Sequence, residues 1–353
     1  MTIRTSTAPR RARRGDIEGR SFTRVGDPSP LADAIKLARH AQASGGRERP
    51  DGEFVADKRA SQIAGVNASI NLRAMLPDLL DGDGRVYQTP AATPAQETRT
   101  LREAVMRNSR CVQFGAKLVE IVEGEARAFG AAVPAMVEHP AAFHVIEPAD
   151  FAPVTLTEDA AANAVNGGAG TRDEGDVSAT TVPISTAELD RSGLTQRAVR
   201  FTVPRSTLRA RNDVQIEAEI MLSLALGLGR AVDAVLLTAI IASKPAQDLA
   251  NPFIDEAATL GLRFDEIAAI AGPAAFGDVV IDNGRLYLRG VPAELSPDAA
   301  RGVVGAWDRA AVAIQPEIDV LVERDRAGAL TFTAWADFAP LIPSTAFFWH
   351  YAA

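Results

Sequence analysis

Four histidines, one cysteine and a close pair of glycines are the residues of this 353-residue chain whose types could do chemistry. His139 and His144 lie beside Glu138 and Glu147, and such a group could hold a metal or move a proton. The spacing speaks against both. HPAAFH sets the histidines five positions apart with Pro140 between them, which matches neither a helix face nor a zinc-ligand pattern. They read as strand or surface histidines, and His40 and His350 stand alone. Cys111 opens the apolar run CVQFGAKLVEIVEG, expected as a strand, and reads as a small buried hydrophobe. ALGLGRAV at 225–232 holds a G-x-G, but the third glycine is missing and a helical pattern surrounds it, so it is not a dinucleotide loop. There is no phosphate-binding P-loop and no G-x-S-x-G elbow. The expectation is a protein that is not an enzyme, with no catalytic, cofactor-binding or metal-binding residues.

The totals agree with a structural role. A length of 353 residues allows two ordinary domains or one elongated one. A net charge of −8 argues against a dedicated nucleic-acid binder. One cysteine excludes an internal disulfide framework and suits assembly in a cytosol. MTIRTSTAPRRARR has no apolar segment behind its charges, so it does not read as a secretory signal. Only four lysines occur: Lys36, Lys58, Lys117 and Lys244.

Elements follow from the pattern. Residues 1–27 are polar and arginine-rich, expected as an arm, and Arg10, Arg11, Arg13 and Arg14 could touch nucleic acid by counterion release. Pro28–Ala43 is predicted as a short amphipathic helix, 45–57 as loop, 71–80 as a broken helix and 98–110 as a charged helix. These first hundred residues cannot bury a core alone. From Cys111 short strands follow, broken by Pro134, Pro140, Pro148 and Pro153. Residues 157–193 carry seven acids against Arg172 and Arg191, a net −5 with little apolar content. VPIST enters and RAVRFTV leaves, so an extended β-hairpin with a loose tip is expected; an inter-domain linker is the alternative.

The strongest single feature is the run from Asn212 to Ser243. Asn212 can cap a helix with Gln215 three residues on, a capping-box arrangement. A helix of about thirty residues spans roughly 45 Å. Apolar residues on nearly every face predict that it is covered from several sides. Glu217, Glu219, Arg230 and Asp233 interrupt it, so no transmembrane span is expected. Beyond Lys244-Pro245, LGLRFDEIAAIA is predicted as helix and VVIDNGRLYLRG as a hairpin with a type I′ turn at Asn283-Gly284. A longer antiparallel pair, IDVLVERD and ALTFTAWADFAPLIPSTAFFWHYA, closes the chain around Asp325–Gly328.

The order of these parts resembles the major capsid protein of tailed bacteriophages, the Hong Kong ninety-seven type shell fold. Arg205-Ser206-Thr207-Leu208 through Asn212-Asp213 and on to Ala231-Val232-Asp233-Ala234 matches the family's entry into, and the small-residue end of, its spine helix. Val320–Glu323, Ala329–Asp337 and Pro343-Ser344-Thr345-Ala346-Phe347 match its closing strands and final P-x-A-F-like phrase. The likeness covers about residues 109–350. Two departures stand out: a short segment between spine helix and closing sheet, and Thr238-Ala239-Ile240 where the family has a glycine.

The resemblance implies an α+β fold with a long spine helix, an antiparallel peripheral sheet, a small axial domain, an extended hairpin loop and an N-terminal arm. It places an arm or scaffolding-like segment at 1–108, strands leading to the peripheral domain at 109–156 and the extended loop at 157–204. The spine helix falls at 205–243, the axial domain at 244–308 and the peripheral sheet at 309–353. It implies self-assembly into pentamers and hexamers of an icosahedral shell around double-stranded DNA, held non-specifically, in a virion assembled in the host cytoplasm. Portal and scaffolding or protease proteins are implied partners; no membrane is. Asp173, Glu174 and Asp176 of the acidic loop are expected to meet Arg205, Arg209 and Arg211 of an adjacent subunit. With no lysine between Lys117 and Lys244, the loop cannot form the lysine–asparagine cross-link of some members. An encapsulin-like compartment shell and an unrecognised enzyme are the competing functions.

Overall fold

The computed structural model describes residues 30–40, 46–48, 54–56, 65–76, 100–121, 142–149, 181–243, 253–273, 277, 279–325 and 327–351. In chain order the elements are α1 (Pro30–His40), β1 (Gly46–Glu48), β2 (Phe54–Ala56), β3 (Gly65–Asn71), α2 (Leu101–Asn108), α3 (Arg110–Gln113), β4 (Lys117–Glu120), β5 (Ala142–Ile146) and β6 (Ile184–Glu188). There follow β7 (Thr195–Val203), α4 (Arg205–Ala210), α5 (Asp213–Ser243), α6 (Phe253–Thr259), β8 (Ala268–Ala271), β9 (Val279–Asp282), β10 (Arg285–Leu288) and β11 (Val291–Leu295). The last are β12 (Val303–Gly305), β13 (Ala311–Ile314), β14 (Glu317–Arg324), β15 (Leu330–Leu341) and β16 (Phe348–His350). The fold is α+β.

The first sheet is built on β15. One edge of β15 pairs with β7 along nine positions, from Leu330↔Val203 to Phe338↔Thr195. Its other edge pairs with β14 and then β13. From Ile314↔Phe338 to Asp319↔Trp335 the β13–β14 side advances five residues while β15 advances three. The two extra residues form a bulge that bends one long strand into two. Outside them lie β3, antiparallel on β14, and β4, parallel on β13. The hairpin turn falls where expected: Gly328 takes φ 87° and Asp325 accepts from Ala329 N at 2.7 Å.

Alternation buries one face of this sheet. Ile318, Val320, Val322, Phe332, Ala334 and Phe338 point into the largest core. The 31-residue α5 lies in that core, with Ile216, Ile220, Leu224, Leu228, Val232 and Leu236 buried. Its start is the expected reciprocal box: Gln215 N donates to Asn212 Oδ1 at 2.8 Å and Asn212 N to Gln215 Oε1 at 3.1 Å. By length and composition α5 is apolar enough to cross a membrane, so its charges alone do not set it apart from a span. Of its most apolar stretch, 56% is buried inside the molecule.

The segment 1–108 is not a separate arm in its described parts. Leu31, Ala34, Ile35 and Ala38 of α1 are buried at helical spacing against β3, β14 and α5. Asn71 ends a strand rather than opening a helix, and β1 pairs with β2 where loop is expected. Residues 1–29 lie outside the described residues.

The second sheet runs β16-β12-β8-β11-β10-β9. Asn283 (φ 47°) and Gly284 (φ 75°) form the expected turn between β9 and β10. Two expectations fail here. Ala268–Ala271 of this run is strand β8, because its alternate residues serve two cores, whereas the helix is α6. The final strand β16 joins this sheet, beside β12, not the first one. Ile270, Val303 and Phe348 face the main core, while Ala269, Val304 and Trp349 pack with Phe253 and Ala257 of α6. Trp307 links the sheets, fully buried, with Nε1 donating to Ala268 O at 2.9 Å and its ring edge-on to Phe348 at 5.5 Å. Trp307→Ala is expected to cost about 3–5 kcal/mol, and Trp307→Phe less. Denaturant midpoints measure both; equal, small shifts would show that the sheets do not meet through this ring.

Candidate functional site

A polar group at the centre of an apolar helix is the least expected feature of the interior. Asp233 of α5 is fully buried. Its Oδ1 accepts from Ser109 Oγ at 2.6 Å and from Cys111 N at 3.0 Å, and Oδ2 accepts from Arg110 N at 3.0 Å. The carboxylate thus caps α3, where free N–H groups and the helix dipole favour negative charge. Ser109 ends α2 and begins α3, so one residue ties both to α5. Close approach is required, and Gly229 permits it: a Cβ there would lie 2.7 Å from Asn108 Cβ and 2.9 Å from its carbonyl carbon. Gly229 therefore serves helix packing, whereas a Cβ at Gly227 would meet nothing within 4 Å; both lie inside α5.

Burial pushes the Asp233 carboxyl above its ordinary value, while the hydrogen bonds from Ser109, Arg110 and Cys111 pull it back. Burial, then the charge of Asp233, pushes the Cys111 thiol well up. Cys111 sits in α3, not in a strand, and is buried in the main core. Among the described residues no cluster of acids, histidines and cysteines could hold a metal. His144 lies on β5 with Nδ1 2.9 Å from Thr186 Oγ1; His139 is outside the described residues.

The hairpin at the expected loop has different partners from those anticipated. VPIST contributes β6, which pairs with β5 from Ala142↔Glu188 to Ile146↔Ile184. RAVRFTV is β7 and belongs to the first sheet. The hairpin therefore begins at 142, before the expected boundary of 157. Asp173, Glu174 and Asp176 lie outside the described residues. Arg205 and Arg209 stand exposed on α4, and the stem of Arg205 lies along Gly328. Arg211 is engaged within its own chain: its guanidinium pairs with Glu219 and its carbonyl accepts from Arg39.

Two apolar patches stand in solvent on separate elements. Ile146 (74% exposed) faces Ile184 (50%) across the β5–β6 hairpin, with Val182 beside them. On β9, the consecutive residues Val280 (61%) and Ile281 (74%) are both exposed, one on each face of the strand. A groove of about 330 Å³ also runs between α5 and β7, lined by Gly227, Ala231, Val199, Phe201 and Trp335. At its rim Arg230 pairs with Asp298 through two 3.1 Å hydrogen bonds. Charge and periodicity in the sequence could not place these patches, because exposure depends on where α6 and the sheet edges end.

Asp233→Ala leaves three donors without their acceptor and is expected to cost at least about 3 kcal/mol. Gly229→Ala is expected to cost about 1–3 kcal/mol by overpacking. The pH dependence has an unusual sign. A folded value above the unfolded one means that the native state holds a proton the unfolded state has lost. The contribution of Asp233 to stability therefore rises as pH falls from the raised value towards the ordinary carboxylate range. Unfolding free energies of the parent and of Asp233→Asn, measured across that range, are expected to differ in slope; parallel curves would contradict this.

No family model matches the chain, and no curated protein matches it. Solved structures do. The chain is similar to the capsid of a native GTA particle at 15% identity and TM-score 0.38, covering 76% of this chain and 96% of that one. It is similar to the satellite phage P4 procapsid at 11% identity and TM-score 0.40, covering 71% and 97%. A virus-like particle from Pyrococcus furiosus matches at 11% identity and TM-score 0.36, covering 71% and 96%.

Proposed function

We propose that this chain is a structural major capsid protein of the tailed-phage type, which self-assembles into pentamers and hexamers of an icosahedral shell around double-stranded DNA. The observation that carries the reading is exposed apolar surface at two unrelated places, Ile146/Ile184/Val182 on one hairpin and Val280 and Ile281, one on each face of β9, on another. Exposed apolar surface of this kind marks contact with other chains. A two-fold dimer uses one self-complementary patch, whereas head-to-tail contacts join two different patches and close into rings. The core supports the same reading. A helix of 31 residues, about 46 Å long, backs a sheet whose strands run to twelve residues, an extended frame for such contacts.

Non-specific DNA contact falls to the arginines of residues 1–20, six against two acids. The shell reading makes the protein a virion component assembled in the host cytoplasm, with portal and scaffolding or protease partners. It assigns no catalysis. The acidic loop residues Asp173, Glu174 and Asp176 now have Arg205 and Arg209 as the free basic candidates on a neighbour, since Arg211 is already paired.

Electron microscopy of the purified protein, alone and with the products of adjacent genes, is expected to show closed shells or rings of five and six. A monodisperse monomer or dimer under both conditions would sink the reading. Reversing Asp173, Glu174 and Asp176 to lysine is expected to block assembly, and reversing Arg205 and Arg209 to glutamate in the same chain to restore it. Unchanged assembly in the first variant would remove the charge pairing while leaving the shell reading intact.

A further inference from the structure

Among the described residues the β5–β6 hairpin meets the body of the molecule at two places. The first is apolar: Phe143 and Ala187 pack on Ile121, Leu189, Ala311, Ala313, Ala339 and Leu341, on the face of the first sheet away from α5. The second is polar. Glu147 continues the hairpin by one residue, its N–H donating to Pro183 O at 2.9 Å. Its Oε2 accepts from an Arg309 guanidinium nitrogen at 2.5 Å, with the two side chains only 22% and 16% exposed. Phe143 and Glu147 lie on the same face of the strand, about 13 Å apart along it.

A hairpin held at one point can swing about it; held at two, it has a fixed direction. Arg309 is well placed to be the second point. It follows the buried Trp307 in a short 3-10 turn, and its guanidinium stacks at 4.0 Å over Phe347. One flat face is therefore used for stacking while the edge meets the carboxylate, a geometry open to arginine and closed to lysine.

We propose that the Glu147–Arg309 pair is a latch that sets the direction in which the hairpin leaves the body, with the Phe143 contact as pivot. Arg309 is thus a positioning residue: it aims Ile146 and Ile184. The orientation itself is independent of the shell reading; only its consequence for assembly rests on that reading.

The test is a spin-label distance measurement on the full chain, with labels at Ile184→Cys and Glu317→Cys. The native Cys111 is buried and does not compete for label. A narrow distance distribution is expected in the otherwise unaltered chain. Arg309→Ala and Glu147→Gln are each expected to broaden it at least two-fold, Arg309→Lys to give an intermediate width, and the charge swap Glu147→Arg with Arg309→Glu to narrow it again. A purely structural role would lower the thermal midpoint without widening the distribution. Unchanged widths in folded Glu147→Gln and Arg309→Ala overturn the latch; should Arg309→Ala fail to fold, Glu147→Gln alone decides. If the widths broaden and rings or shells still form as before, the latch stands and its role in assembly falls.

Discussion

A buried carboxylate has to be surrounded by donors, and that requirement at Asp233 governs how the helices meet. An ionised group inside an apolar core is too costly to leave unpaired. Its partners here come from a helix start, two backbone N–H groups and the Ser109 hydroxyl, more than a hundred residues away in the chain. Once they are in place, α2 and α3 have only one position along α5. The chain then leaves α3 through Gly115, whose φ of 121° is available to glycine, and enters β4 beside β13. One polar node thus fixes helices and the edge of the first sheet together. Non-directional apolar packing could have allowed α2 to slide by a turn; the hydrogen-bond geometry does not.

The two sheets are likewise locked by alternation rather than by a separate interface. Strands β8 and β12 are buried on both faces, giving Ile270 and Val303 to one core and Ala269 and Val304 to the other. Trp307 and β16 add to the same seam. The two regions therefore form one packed body, and a boundary drawn near residue 308 cuts through shared core.

Much of this was legible in the residue pattern, and the failures have physical causes. The α5 start at Asn212, the Asn283-Gly284 turn and the β14–β15 pair all rest on local chemistry, capping and turn geometry, which sequence encodes directly. The IAAIA segment misled because a short apolar run has no period of its own; only burial on both faces makes it a strand. Cys111 falls in a helix for a related reason: its turn is capped by the neighbouring Ser109 hydroxyl and by the distant Asp233 carboxylate, although the alternation of the stretch suggests a strand. The partner of VPIST was misplaced because strand pairing over a forty-residue gap is set by tertiary contact, here the Phe143–Ala187 seat on the first sheet. Asp233 itself carried a signal, a lone acid among small residues in an apolar helix, but the donors that explain it are remote.

The scarcity of lysine also gains a structural meaning. With four lysines, the remaining basic residues are thirty-three arginines (37 − 4). At the margins of the core they make joints that need several directed donors at once. Arg39, at the end of α1, pairs with Asp213 at 2.6 Å and donates to the carbonyls of Leu208 and Arg211. It thereby holds the last turn of α4 and the acidic first turn of α5 in one grip. Arg230 grips Asp298 with two parallel hydrogen bonds, and this ion pair holds its guanidinium proton more firmly than usual. Arg309 combines a carboxylate edge with an aromatic face. An ammonium group has no plane and no fork, so it could make each contact singly but none of these combinations. The use of these arginines at the end of α1, between α5 and the loop after β11, and at the hairpin base depends on geometry, because each joins segments far apart in the chain at the rim of a core that apolar packing alone leaves free to shift.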